Sequence, residues 1–206
     1  MADPRTTTLF QAIKDGDLNT LDRLVQQDPS VLQLQPYGNP VMFLAARQGQ
    51  LGVVDYLASQ GVPLDHTDMA AWTPLMVAAR QGHVEMVATL LAHGASLTRV
   101  NDGGSSALHH AAWGGHPSTV ALLLQHRIPV NSVDEFGRTP LHTAISYGHS
   151  HLVDLLVDHG ADMKIQTYDG ASPLHTAVSW NEAKAVARLL ALGSPVDLVR
   201  KSSLLH

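Results

Sequence analysis

Residues 139–149 read TPLHTAISYGH, and taken alone this crowding of histidines, hydroxyls and a tyrosine suggests a metal or catalytic site. The rest of the chain changes that reading. TPLMVAARQGH (73–83) and SALHHAAWGGH (106–116) come before it and SPLHTAVSWNE (172–182) after it, each 33 residues from the next. PVMFLAARQGQ (40–50) and the more polar TTLFQAIKDGD (7–17) keep the same register. A second phrase, LLAHGASL (90–97), returns as LLQHRIPV, LVDHGADM and LLALGSPV at the same spacing. A fixed period of this length marks a repeat architecture.

Within one unit, Thr139-Pro140 predicts a helix start, because the hydroxyl can accept from first-turn amides and proline lacks only an N–H that has no partner there. Leu141, Ala144 and Ile145 follow at helical spacing and share a core face. Gly148-His149 breaks the helix. Leu152, Val153, Leu155 and Leu156 predict a second apolar helix, which Gly160 ends in the left-handed conformation that glycine favours. A turn-rich connector then leads to the next Ser-Pro-Leu-His.

Composition narrows the function classes. The chain has 206 residues, a formal charge of −5 and no cysteine. The acidic balance argues against a general nucleic-acid binder, which needs a basic stripe to displace counterions from phosphate. Without cysteine there are no disulfides, thiolate metal sites or cysteine nucleophiles. No apolar run approaches the ~18 residues of a membrane span, and the N-terminus lacks a signal-type apolar core. These features predict a soluble, intracellular chain in the cytoplasm, without ruling out the nucleus.

Two short helices and a hairpin-like turn in 33 residues, opened by T-P-L-H-x-A, resemble the ankyrin repeat over residues 9 to about 198. The resemblance implies an all-α repeat: an ankyrin-repeat solenoid of about six 33-residue helix-turn-helix units with hairpin-like turns. It would form a single domain, 1–206, with units near 6–38, 39–71, 72–104, 105–137, 138–170 and 171–206. Lys14, Asp15 and Asp17 in the first unit, and Asn181, Glu182 and Lys184 in the last, suit terminal caps whose outer faces meet water. Arg127 stands where Gly61, Gly94, Gly160 and Gly193 sit, so it must adopt a left-handed conformation or end its helix differently. The tail RKSSLLH reads as the opening of a seventh unit with a shortened turn.

The resemblance also implies that His109, His142 and His175, and likewise His83, His116 and His149, are structural groups bonded to backbone in neighbouring turns. An imidazole suits that task because it both donates and accepts. Zinc needs three or four ligands converging on one point, which a ladder of equivalent positions does not supply. The local pairs His109-His110 and His149/His151 are not expected to face each other on a helix. No hydrolase elbow, zincin motif or phosphate loop is present, so we expect no catalytic residues, metal or cofactor.

Function must then sit where the repeat leaves the residue free. Two such positions end each first helix, and in the family they line a concave face. The first reads Lys14, Arg47, Arg80, Trp113, Ser146, Ser179 and the second Asp15, Gln48, Gln81, Gly114, Tyr147, Trp180. One end of the ladder is basic and amide-rich, the other aromatic. The connectors add Tyr37, Trp72, Phe136 and Tyr168, beside Arg138, leaving Phe10, Phe43 and Tyr56 for the core. Tyrosine, tryptophan and arginine dominate interface hot spots.

The predicted partner-binding set is therefore Lys14, Arg47, Gln48, Trp72, Arg80, Gln81, Trp113, Phe136, Arg138, Tyr147, Tyr168 and Trp180. Its expected partner is another protein, presenting an extended peptide or loop that is partly acidic and partly apolar to a monomeric adaptor, scaffold or inhibitor. The alternatives are a recognition or autoinhibitory part of a larger protein, or a small-ligand module in which Trp113 and Arg80 stack a nucleotide base. Val130-Asn131 and Val196-Asp197 also resemble turns that asparagine hydroxylases modify in ankyrin proteins.

Overall fold

The computed structural model describes residues 4–196, apart from the side chain of Tyr37. Twelve α-helices and three short 3-10 segments make up the described chain, with no strand element among the described residues. The helices pair in sequence: α1 (Pro4–Asp15) with α2 (Leu18–Gln27), α3 (Val41–Gln48) with α4 (Leu51–Ser59), and α5 (Pro74–Gln81) with α6 (Val84–Ala92). Then α7 (Ala107–Gly114) pairs with α8 (Pro117–Gln125), α9 (Pro140–Ser146) with α10 (Val153–Asp158), and α11 (Pro173–Ser179) with α12 (Ala183–Ala191). The all-α helical repeat is as the period predicts.

Contacts group the chain into two compact units. One is the chain up to Ala78 together with His83–Asp102; the other is Ala79–Gly82 together with the chain from Gly103 onward. In the first unit α1 packs on α3, and α4 on both α2 and α6. Its core closes over Leu9, Ile13, Leu21, Met42, Leu57 and Leu90, all fully buried. In the second unit α7 packs on α9 and α9 on α11, while α8 and α12 flank α10. Leu108, Leu123, Leu141, Ile145, Leu156 and Leu189 fill it.

The local signals work as their chemistry requires. Thr139 caps α9, its Oγ1 accepting from His142 N at 3.4 Å, and Ser106 and Ser172 cap α7 and α11 alike. Backbone pairing joins successive turns: Asp102 N donates to Ala70 O in the first unit, and in the second Glu135 N donates to Gly103 O and Tyr168 N to Phe136 O. Arg127 does adopt a left-handed conformation, φ +61°, as do Ala71 at +58° and Asn181 at +56°.

Four expectations need correcting or placing. Asp17 is exposed but stands between α1 and α2, where its carboxylate caps α2 by accepting from Thr20 N at 3.0 Å; hydrogen bonds from the Thr20 hydroxyl and N–H lower its pKa. The sixth helix pair does not present a polar outer face: Val178 is 63% exposed and Leu190 46%. The second helix of the fifth unit opens as a 3-10 segment, Ser150–Leu152, before α10. Asp197 and the tail RKSSLLH lie outside the described residues.

Candidate functional site

The second unit assembles part of the predicted set. The guanidinium carbon of Arg80, at the end of α5, lies 3.7 Å from the centroid of the Trp113 ring on α7. The Trp113 and Tyr147 rings are 5.2 Å apart and tilted by 37°. Cation, indole and phenol thus form one continuous stack. Trp113 is half-buried, whereas Tyr147, the C-cap of α9, is 45% exposed.

The backbone beneath this stack is pinned from the following repeat. His116 Nε2 bonds to Arg80 O at 3.0 Å and His149 Nε2 to Trp113 O at 2.9 Å. Each carbonyl would otherwise be one of the orphan acceptors of a helix C-terminus. Gly114 is required here, because a Cβ on it would stand 2.5 Å from Arg80 O. His110, fully buried behind the stack, has its ring centroid 6.1 Å from that of Trp113. Burial, reinforced by the positive charges possible at His109 and Arg80, lowers its pKa to about 3, so it stays neutral beside the cation.

A second cluster forms at the turn between the fourth and fifth repeats. Buried Asp134 accepts from Phe136 N and Arg138 N through Oδ1, both at 2.9 Å, and from Arg138 Nε through Oδ2 at 2.8 Å. Arg138, held by this carboxylate, lies over Phe136 at 4.7 Å. Arg138, Phe136 and Trp180 share a cleft of about 280 Å³ with Ser146, Thr167 and Ser179. Phe136 is 55% and Trp180 62% exposed. Tyr168, also exposed, packs its ring across Gly137, where a Cβ would approach it to 2.8 Å. Gln81 is exposed at the end of α5.

The first unit carries its own predicted residues. Lys14, Arg47 and Gln48 are exposed at the ends of α1 and α3, and Trp72 is half-buried in the turn before α5. Lys14 O accepts from Gln50 Nε2 at 2.8 Å, the same bond that the histidines make at the equivalent repeat position. Asp68 supports the Trp72 turn through Ala70 N and Trp72 N, both at 2.9 Å, while Asp65 accepts from Ser96 N at 3.0 Å. These two carboxylates thus bind main chain. A larger cleft of about 800 Å³ in this unit, floored by Val25, Pro40 and Val62, includes none of the predicted residues.

The histidine ladder behaves as scaffold. In His109 and His142 the Nδ1 atom accepts from the backbone N–H of the capping Ser106 or Thr139, both at 3.2 Å. That leaves Nε2–H to donate to a carbonyl of the next turn, Arg138 O at 2.9 Å and Ala171 O at 3.1 Å. Desolvation dominates the lowered pKa of His109 and takes His142 to about 4. One detail departs from expectation: the His149 and His151 rings do meet, edge-on at 5.7 Å. His149 precedes the 3-10 segment, and both Nε2 atoms turn toward carbonyls of the previous repeat, Trp113 O and Gly115 O. No group of three or more potential ligands converges among the described residues.

The sequence did not single out Asp134, and it weighed His110 only as the neighbour of His109. Asp134 could have been found from the period, since it repeats Asp68 two units on. His110 has no counterpart in the motif and gave no such signal.

Comparison with known families settles what kind of repeat this is. The family model for ankyrin repeats in three copies matches residues 60–134 and 108–200. The chain belongs to the ankyrin-repeat family. No curated protein matches it. Ankyrin repeats are in general protein-interaction modules and are typically non-enzymatic. Among the described residues of this ankyrin chain, no helix is long and apolar enough to cross a membrane.

Proposed function

We propose that this ankyrin chain is a non-enzymatic adaptor, scaffold or inhibitor that holds an extended peptide or loop of another protein. The observation that carries this reading is the Arg80–Trp113–Tyr147 stack. A closed aliphatic core has no need of large aromatics outside it, yet the chain leaves Tyr147, Phe136 and Trp180 open to solvent beside ordered arginines. Ordered aromatics with a nearby guanidinium make strong anchors, because little side-chain entropy remains to be lost on binding.

The partner is acidic where it meets Lys14, Arg47 and Arg80, and apolar where it meets Trp113, Tyr147 and Trp180. Base stacking is disfavoured, since Arg80 already covers a face of the Trp113 indole. The same proposal takes the six repeats as one domain that acts as a monomer in the cytoplasm. The test uses the full chain as bait and compares wild type with Tyr147→Ala/Trp180→Ala and with Arg47→Glu/Arg80→Glu, after melting curves establish folding. A partner held by wild type and weakened tenfold or more by each pair supports the reading. Equal retention by all three removes the ladder as the binding surface.

A further inference from the structure

The cleft of about 800 Å³ in the first unit lies between the connector that follows α2 and the one that follows α4. A tie made between other connectors is impossible here. Asp65 Oδ1 accepts from Ser96 N at 3.0 Å, and in the second unit Asn131 Oδ1 accepts from Asp162 N at 2.9 Å. Asn131 also donates from Nδ2 to Gly160 O at 2.9 Å. One repeat before Asp65 the same position holds Leu32, and the donor's position holds Pro63, which has no N–H. Both line the cleft, as does Gly61, the counterpart of Gly160. Polar groups on both sides of the joint are thus replaced together by apolar ones.

The lining selects a ligand by what it lacks and by what it offers. Among the described residues, no aspartate, glutamate, lysine or arginine lines it, and no aromatic ring. Without a cation it cannot hold a phosphate or a carboxylate, the acid of a fatty chain included. Without a ring it gives no stacking platform for a nucleobase and no aromatic groove for a polyproline helix. What it offers is aliphatic surface and amide. Val25 and Val62 are buried at the floor and Leu32 is half-buried, while Gln33, Gln35 and Gln60 are exposed. The side-chain amides of these three glutamines make no hydrogen bond among the described residues, unlike that of Gln26, which donates to Asp22 at 2.6 Å. A primary amide both donates and accepts, which makes it the complement of a peptide group.

We propose that this cleft binds an uncharged, aliphatic peptide segment of a partner protein. Its side chains rest on Val25, Leu32 and Val62, and its backbone amides pair with Gln33, Gln35 and Gln60. The volume falls within the ~300–1,000 Å³ of typical ligand sites, so the cleft takes a short segment and not a folded domain. This site shares no residue with the ladder that carries the proposed function.

Selection of a displayed library of random peptides on the full chain tests this. The enriched sequences are then synthesised and titrated against wild type, Gln33→Glu/Gln60→Glu and Tyr147→Ala/Trp180→Ala. Gln33 and Gln60 are exposed, so charging them leaves the core intact, which a melting curve checks. The expected result is a set of uncharged, aliphatic sequences that bind the glutamate variant at least tenfold more weakly and the ladder variant as tightly as wild type. Sequences that lose binding only in the ladder variant overturn the cleft and leave the ladder reading standing. Charged sequences that depend on Gln33 and Gln60 overturn the ligand class and the proposal with it. A selection in which no sequence discriminates against the glutamate variant overturns it as well.

Discussion

The Arg80 guanidinium carbon lies 3.7 Å from the centroid of the Trp113 ring, and the contact links residues one repeat apart. Such a contact is worth about 0.5–1 kcal/mol at an exposed site. A double-mutant cycle of Arg80→Ala and Trp113→Ala, read by urea melts, is expected to return a coupling of that size. Strict additivity would mean that the stack is geometry without energy.

Acid should unfold the protein through its neutral histidines. The unfolded value is near 6.5, while His110 and His142 are held at about 3 and about 4 by burial, and His109 is lowered too. Between these limits the unfolded chain binds more protons than the folded one, so stability falls as pH drops from 7 toward 4. Each of these histidines adds up to about 1.4 kcal/mol per pH unit in its window, and His142 alone about 3 kcal/mol across it. Asp17 and Asp28, both lowered from 3.8, act only at more acidic pH. A melting temperature that stays flat from pH 7 to pH 5 would sink this account.

Replacing Arg127 or Ala71 by glycine should stabilise the fold by about 0.5–1 kcal/mol, the relief of a left-handed side chain less the added entropy of the unfolded glycine. The reverse change at an equivalent turn should cost more. Gly137→Ala sets a Cβ 2.8 Å from Tyr168 N, and Gly104→Ala sets one 3.0 Å from Glu135 N, with main chain that cannot step aside. Chemical denaturation of the four variants gives the signs directly.

Removing the Asp134 carboxylate leaves Phe136 N, Arg138 N and Arg138 Nε without their acceptor. Asp134→Ala is expected to cost about 3 kcal/mol, in the range for breaking a buried charged network by deleting one partner. Exposed Phe136→Ala should cost well under 1 kcal/mol. If the two variants melt alike, the turn is not held by Asp134.

The period made most of the fold legible. T-P-L-H gave the helix starts and their hydroxyl caps, and the missing glycine at Arg127 left two outcomes, of which the left-handed one is found. What the period hides is what crosses repeats through side chains. Arg80 over Trp113 depends on two rotamers and on the absence of a Cβ at Gly114, none of which a one-dimensional pattern records. His149 meeting His151 depends on a 3-10 turn that neither residue announces. The outer face of the sixth repeat was misread for a simpler reason. Asn181, Glu182 and Lys184 are polar but stand at the helix junction, while the face itself is set by Leu174, Val178 and Val186.

The bonds from Gln50 to Lys14 O, from His116 to Arg80 O and from His149 to Trp113 O have a consequence for variation. Lys14, Arg80 and Trp113 are each secured by the main-chain oxygen, which every amino acid possesses, and the tether comes from the next repeat along. The side chain at positions 14, 80 or 113 can therefore be exchanged without loosening its own mooring. The main chain at these three positions is anchored independently of the residue type that stands there.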